Sequence, residues 1–124
     1  PYVQYTYARA ASVMRNAVRV AAEKALNCEN IKVEHIIGES AYELAKLLYA
    51  LPQVIIDAGE KYEPSVLTRH IVDIAQAFNR FYHDEHILTD NEEEKISKLS
   101  LVAATKTVLK NGLALLGIEA PERM

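Results

Sequence analysis

Apolar residues recur every three or four positions along most of this chain, which is the spacing of one face of an α-helix. A first segment from about Val3 to Leu26 contains no Gly or Pro and predicts one long amphipathic helix. Polar residues between Asn27 and Glu34 then interrupt the period. No stretch shows the alternation of polar and apolar residues that is typical of a β-strand, so the pattern favours an all-helical fold.

The middle of the chain predicts two short helices separated by a proline. The hydroxyl of Ser40 can cap a helix, and Glu43 three residues later completes a capping box. We expect this helix to end near Leu51. Pro52 suits the first turn of a further helix that runs through residues 53–60, because a missing amide costs little there.

Two longer helices follow. The first opens at Glu63-Pro64-Ser65, and the second is capped by Thr89 or Asp90 and ends at Gly117 after an interior Gly112. Their apolar stripes are Leu67, Ile71, Ile74, Ala75, Phe78 and Phe81, then Ile96, Leu99, Val102, Leu109, Leu113 and Leu116. The sequence therefore predicts an all-α compact bundle of four or five helices, formed by residues 1–124 as a single domain.

Composition narrows the class of protein. Half of the 124 residues are hydrophobic, which supports one core without disulfides or metals. A lone Cys28 cannot form an internal disulfide, and we expect a reduced thiol in the cytoplasm. The amino end has no charged-then-apolar leader, and no apolar run is long enough to span a bilayer.

The charge is unevenly distributed. A net charge of −3 argues against indiscriminate binding of phosphates, so any contact with nucleic acid must be local. The first segment carries Arg9, Arg15, Arg19 and Lys24, whereas acidic residues cluster at 92–94. A solvated helix face would produce the same unevenness.

Few residues indicate bond-making chemistry. Cys28 and four scattered histidines have no recognisable catalytic spacing, and the four glycines form no phosphate-binding loop. His83 and His86 are spaced as two metal ligands on one helical face, but a structural zinc site usually draws on four ligands. A polar helix end is the commoner explanation, and we expect no metal site.

The aromatic residues are more informative. Tyr2, Tyr5 and Tyr7 lie at one predicted helix start, with Arg9 one turn after Tyr5, and Tyr82 lies one turn after Asn79. Unpaired RNA bases stack on rings and are read by Arg or Asn. We expect Phe78 and Phe81 to be core residues, whereas the residues alone leave Tyr5 and Tyr82 open between RNA contact and partial burial.

Three segments resemble the carboxyl-terminal domain of arginyl-tRNA synthetases in their order and spacing. They are residues 4–9 (QYTYAR), 73–82 (DIAQAFNRFY) and 111–124 (NGLALLGIEAPERM). The closing Pro-Glu-Arg-Met is unusually specific to that family. One departure is Tyr7, where relatives often have His.

The resemblance implies a DALR-type anticodon-binding helical bundle that docks on the anticodon loop of the arginine tRNA. The RNA-binding residues that it implies are Tyr5, Arg9, Tyr82, His86 and Met124, with Asn79 as a weaker neighbour. It also implies that a catalytic domain lies upstream and uses ATP with magnesium to join arginine to tRNA. This chain alone is then expected to hold no cofactor and to be inactive, with no membrane or DNA partner. The alternative is a helical protein–protein interaction module with no RNA role.

Overall fold

The computed structural model describes residues 2–16, 38–85, 92–118 and 120–121. Within these ranges the chain forms four helices and no strand: α1 (Tyr2–Asn16), α2 (Glu39–Lys61), α3 (Pro64–Asp84) and α4 (Glu92–Leu115). This confirms the predicted all-α bundle. The predicted continuation of the first helix to Leu26, the break at 27–34, Cys28 and the proposed caps Thr89 and Asp90 lie outside the described residues.

A shared hydrophobic core joins the four helices. α2 packs along α3 and α1 packs mainly on α4, while α1 also contacts α3 and α4 also contacts α2 and α3. The predicted stripe of α3 is buried throughout, including Phe78 and Phe81. In α4 the stripe from Ile96 to Leu113 is buried, and Leu116 packs against the core. α1 contributes Tyr7 and several alanines, whose small side chains let it lie close to its neighbours.

The prediction of two short helices on either side of Pro52 was wrong. A single helix, α2, continues through Pro52. An interior proline removes one backbone hydrogen bond and costs about 3 kcal/mol. Here Leu48 and Leu51 before the proline and Val54 after it pack against the core, while the proline itself is exposed. Tertiary packing on both sides therefore outweighs the local preference.

The predicted capping box at Ser40 was also wrong. The N-cap of α2 is Gly38, which makes no side-chain cap bond. Ser40 Oγ donates instead to Asp84 Oδ2 at 2.7 Å, and Arg80 binds Glu43 at 3.1 Å. The amide of Ala41 donates to the Glu85 carboxylate at 2.9 Å, so a residue 44 positions away caps this helix. Ser40 and Glu43, the two residues of the predicted box, therefore hold α2 to the end of α3.

The carboxyl-terminal ends of α4 and α2 share one backbone geometry. After α4, Ile118 N–H donates to Leu113 O and Gly117 N–H donates to Ala114 O, with Gly117 at φ 76°. This is a Schellman motif, and it confirms Gly117 as the predicted stop. The end of α2 has the same pattern with Tyr62 at φ 53° in the left-handed position. The short turn through Tyr62 and Glu63 folds α3 back against α2.

Candidate nucleic-acid interface

A groove of about 800 Å³ runs between α1 and α3. Tyr2, Tyr5, Arg9, Ser12 and Asn16 succeed one another at helical spacing, so they share one face of α1. α3 supplies the opposite side of the groove. The lining residues are Tyr2, Tyr5, Thr6, Ala8, Arg9, Ser12, Val13, Arg15, Asn16, Asn79 and Tyr82.

Asn79 on α3 is the polar junction between the two walls. Its side-chain NH2 donates to the Tyr2 hydroxyl at 2.8 Å and to Thr6 Oγ1 at 3.0 Å. Its Oδ1 accepts from Arg9 Nη1 at 2.8 Å. Thr6 in turn donates to the backbone carbonyl of Tyr2 at 3.0 Å. Both ends of the amide are therefore engaged, and one orientation of the side chain satisfies them all.

The guanidinium of Arg9 is held from two directions. Besides its bond to Asn79, its Cζ lies over the Tyr82 ring, 4.8 Å from the centroid. That distance is within the range of a cation–π interaction. The Tyr82 ring itself packs against the buried Phe78 ring, at 6.4 Å between centroids, and makes a T-shaped contact with the His83 ring, at 5.4 Å between centroids.

The structure brings Tyr5, Arg9 and Tyr82 together on the groove. Tyr5 is 58% exposed and Tyr82 39% exposed, so neither belongs to the core. Tyr7 differs from them because it is buried, with its ring 5.9 Å from Lys106 Nζ. His86 and Met124, the other two predicted RNA-binding residues, lie outside the described residues, as do Arg19 and Lys24.

Sequence reasoning gave too little weight to three residues. Asn79, predicted as a weaker neighbour of the RNA-binding residues, joins the two walls of the groove, and Tyr2 binds it directly. Arg15 lines the same groove. The available signal was the helical spacing of Tyr2, Tyr5 and Arg9, which predicts a shared face. The partner of that face on α3 is 70 or more positions away, and spacing within one helix cannot identify it.

The groove is locally basic although the chain is acidic. Among the residues that the structure describes, its lining contains two arginines and no Asp or Glu, against a net charge of −3 for the whole chain. The acidic residues at the nearby end of α3 are engaged elsewhere: Asp84 with Ser40, and Glu85 with the Ala41 amide and Lys98. This distribution leaves a surface of rings, amides and positive charge.

Metal ligation has no support in the part of the chain that the structure describes. No group of three or more His, Cys, Asp or Glu is placed there to hold an ion. His83 is exposed beside Tyr82, and its predicted partner His86 is outside the described residues. None of the four described helices is long and apolar enough to cross a membrane.

The family model for the DALR anticodon binding domain matches residues 3–124. The chain belongs to this family. The predicted resemblance is thereby confirmed, and the structure of this DALR domain agrees with it. Apart from Tyr2, the residues that line the groove lie within the range that this family model matches.

Named relatives of this DALR domain are arginine–tRNA ligases. It is 52% identical over 124 residues to the ligase of Alkaliphilus metalliredigens (strain QYMF) and 45% identical over 130 residues to that of Halothermothrix orenii (strain H 168). Each match covers 100% of this chain and 21% of the relative. The solved arginyl-tRNA synthetase of Thermus thermophilus superposes with a TM-score of 0.84 at 31% identity, again over 100% of this chain and 21% of that one. The chain thus spans about a fifth of the length of these proteins.

Proposed function

We propose that the groove between α1 and α3 binds unpaired bases of the anticodon loop of an arginine tRNA. The observation that carries this proposal is the grouping of Tyr5, Arg9 and Tyr82 in a groove where none of the described lining residues is acidic. Rings and guanidinium groups are the surfaces on which splayed RNA bases stack. Membership of an anticodon-binding family, with arginine–tRNA ligases as relatives, supports the same ligand.

Each groove residue has a distinct part in this proposal. Tyr5, the more exposed ring, stacks on a base, which is worth roughly 1–3 kcal/mol per base. Arg9, held by Asn79, supplies donors for base edges, and Arg15 attracts the loop, helped by Arg19 and Lys24. His86 and Met124 remain predicted contacts. Because stacking carries much of the affinity, the overall negative charge is no obstacle.

The role in a larger protein is part of the same proposal. Residues 1–124 form a single anticodon-binding domain of a cytoplasmic arginyl-tRNA synthetase, whose upstream catalytic domain joins arginine to tRNA with ATP and magnesium. The described residues do not fit that cofactor: they offer no cluster of metal ligands, and the glycines form no phosphate loop. This chain contributes recognition without bond making and should be inactive in aminoacylation by itself.

The proposal is tested by titrating an arginine tRNA anticodon stem-loop with Tyr5→Ala and Tyr82→Ala variants. Each should weaken binding by roughly 5- to 150-fold, since each removes about 1–3 kcal/mol of stacking or of its support. Tyr49→Ala is the matched control, because Tyr49 is 90% exposed on α2 and does not line the groove. Circular dichroism should show the same helicity in all three. Equal affinities would remove the groove from the proposal.

A second candidate function rests on a separate surface. Tyr42, Tyr49 and Ile56 on α2 are spaced by seven residues, are at least half exposed and therefore form an apolar line along the helix. Such a line suits a protein–protein interaction module. Binding through it would change little with salt, whereas RNA binding weakens as salt rises.

A further inference from the structure

The face of Tyr82 that looks toward α1 is already covered in this structure. Arg9 Cζ lies over the ring at 4.8 Å, and Asn79 Oδ1 holds Arg9 Nη1 at 2.8 Å. A base cannot stack on that face of Tyr82 unless Arg9 moves away. Tyr82 and Arg9 therefore act as one unit, with the guanidinium as its outer layer.

We propose that Tyr82 and Asn79 form a socket that presents the Arg9 guanidinium as a flat platform for one RNA base. In this arrangement Arg9 is the residue that touches RNA, Tyr82 supports it from below and Asn79 is a positioning residue. The inference rests on the proposed function and refines it, because it assigns the stacking surface at this end of the groove to Arg9 rather than to Tyr82.

The hydrogen bonds around Asn79 explain how the platform is fixed. Both hydrogens of its amide nitrogen are donated to Tyr2 and Thr6, so its oxygen is directed toward Arg9. Thr6 is buried, which ties this orientation to the body of the bundle. A long Arg side chain normally loses much rotamer freedom when it binds a ligand. Here that freedom is already restricted before RNA arrives, which favours binding.

The chemistry of arginine distinguishes a platform from a simple charge. A guanidinium is planar, stacks on rings and still presents donors along its edge, whereas a lysine ammonium is a compact point charge. RNA bases stack on guanidinium planes as well as on aromatic rings. A phosphate contact would need only the charge. Lysine at position 9 therefore separates the two roles.

The first arm of the test compares Arg9→Lys with Arg69→Lys in titrations of the arginine tRNA anticodon stem-loop. Arg9→Lys should weaken binding roughly tenfold, the loss expected when one stacked base is released. Arg69→Lys should stay within about twofold, because Arg69 is exposed on α3 and does not line the groove. A loop that lacks one base should bind wild type and Arg9→Lys equally, and the missing base identifies the one on the platform. Wild-type affinity for Arg9→Lys would overturn the platform.

The second arm tests Asn79 and Tyr82 as supports. Asn79→Ala should weaken binding several-fold in the wild-type background and not at all in an Arg9→Ala background. A purely structural role would give the same loss in both backgrounds and would overturn the assignment. Gln76→Ala, an exposed amide on the same helix, is the control. Tyr82→Phe should bind as wild type because it keeps the ring, whereas Tyr82→Leu should behave like Arg9→Lys.

Loss of RNA binding and loss of the Arg9 platform give different experimental results. If wild type does not bind the stem-loop, the proposed function fails and the platform fails with it. If wild type binds, and Tyr5→Ala weakens binding while Arg9→Lys does not, the groove remains an RNA site and only the platform is lost. In that outcome Arg9 contacts a phosphate through its charge.

Discussion

Gly112 on α4 lies directly against the side chain of Ile71 on α3. A Cβ built at Gly112 would overlap Cδ1 of Ile71 and would lie 3.0 Å from its Cγ1. Both residues are buried, and Ile71 is only 1% exposed. The missing side chain of Gly112 is therefore what lets these two helices approach at this point.

Gly112→Ala should lower the free energy of unfolding by about 1–3 kcal/mol through overpacking. An alanine in an open helix position would instead raise it by about 1 kcal/mol. Ile71→Val removes the overlapping Cδ1, so the double variant should be more stable than the sum of the two single changes predicts. Urea denaturation of the four proteins measures this. A stabilised Gly112→Ala would show that the contact is loose.

Tyr62 occupies the left-handed position at the end of α2, where glycine is the usual residue. It is 91% exposed, so its ring contributes little packing. Tyr62→Gly should raise the free energy of unfolding by up to about 1 kcal/mol and so raise the thermal midpoint slightly. The strain that tyrosine has in the left-handed conformation exceeds the extra entropy that glycine loses on folding. Tyr62→Val should lower it by a similar amount, since β-branched residues fit this conformation worst. The opposite order of the two midpoints would contradict this assignment.

Glu85 connects three helices through one carboxylate. It accepts from the Ala41 amide, and its Oε1 lies 3.7 Å from Lys98 Nζ, which is 7% exposed and also binds Glu94 at 2.9 Å. Glu85→Ala should cost about 2 kcal/mol in urea denaturation, because it removes the cap of α2 and one partner of a buried ammonium. Glu43→Ala, which breaks a half-exposed ion pair, should cost less than about 1 kcal/mol. Equal costs would show that Glu85 acts as a surface residue.

Arg15 should contribute to RNA binding through charge alone. Each contact between a cationic side chain and a phosphate of a single strand adds about 0.7 to the slope of log affinity against log salt. Arg15→Gln should therefore flatten that slope by about this amount and weaken different loop sequences equally. An unchanged slope would mean that Arg15 is not near a phosphate in the complex.

The sequence predicts α3 and α4 well because their stripes are continuous and match the helical period. It does not predict α2 correctly, since Pro52 and Ser40 both give local signals that tertiary partners override. The true cap, Glu85, is 44 positions from Ala41 and leaves no local signature. Periodicity describes one element at a time, whereas these features depend on two.

The candidate site shows the same division. Spacing within α1 places Tyr5 and Arg9 on one helix face, whereas their RNA contacts, like that of Tyr82, are implied only by the resemblance. The contacts that join them across helices, above all those of Asn79 with Tyr2 and Arg9, span 70 positions or more. These contacts form only where α1 packs against α3, so no local pattern in the sequence predicts them.

The most direct test of the account is the affinity of this chain for the anticodon stem-loop of an arginine tRNA compared with a loop of altered anticodon bases. The titration should be made at two salt concentrations, with the stem sequence held constant. We predict that the altered loop binds at least tenfold more weakly at both salts, because base stacking and edge contacts in the groove are lost. Equal affinity for the two loops, or no binding to either, would contradict anticodon recognition by this groove.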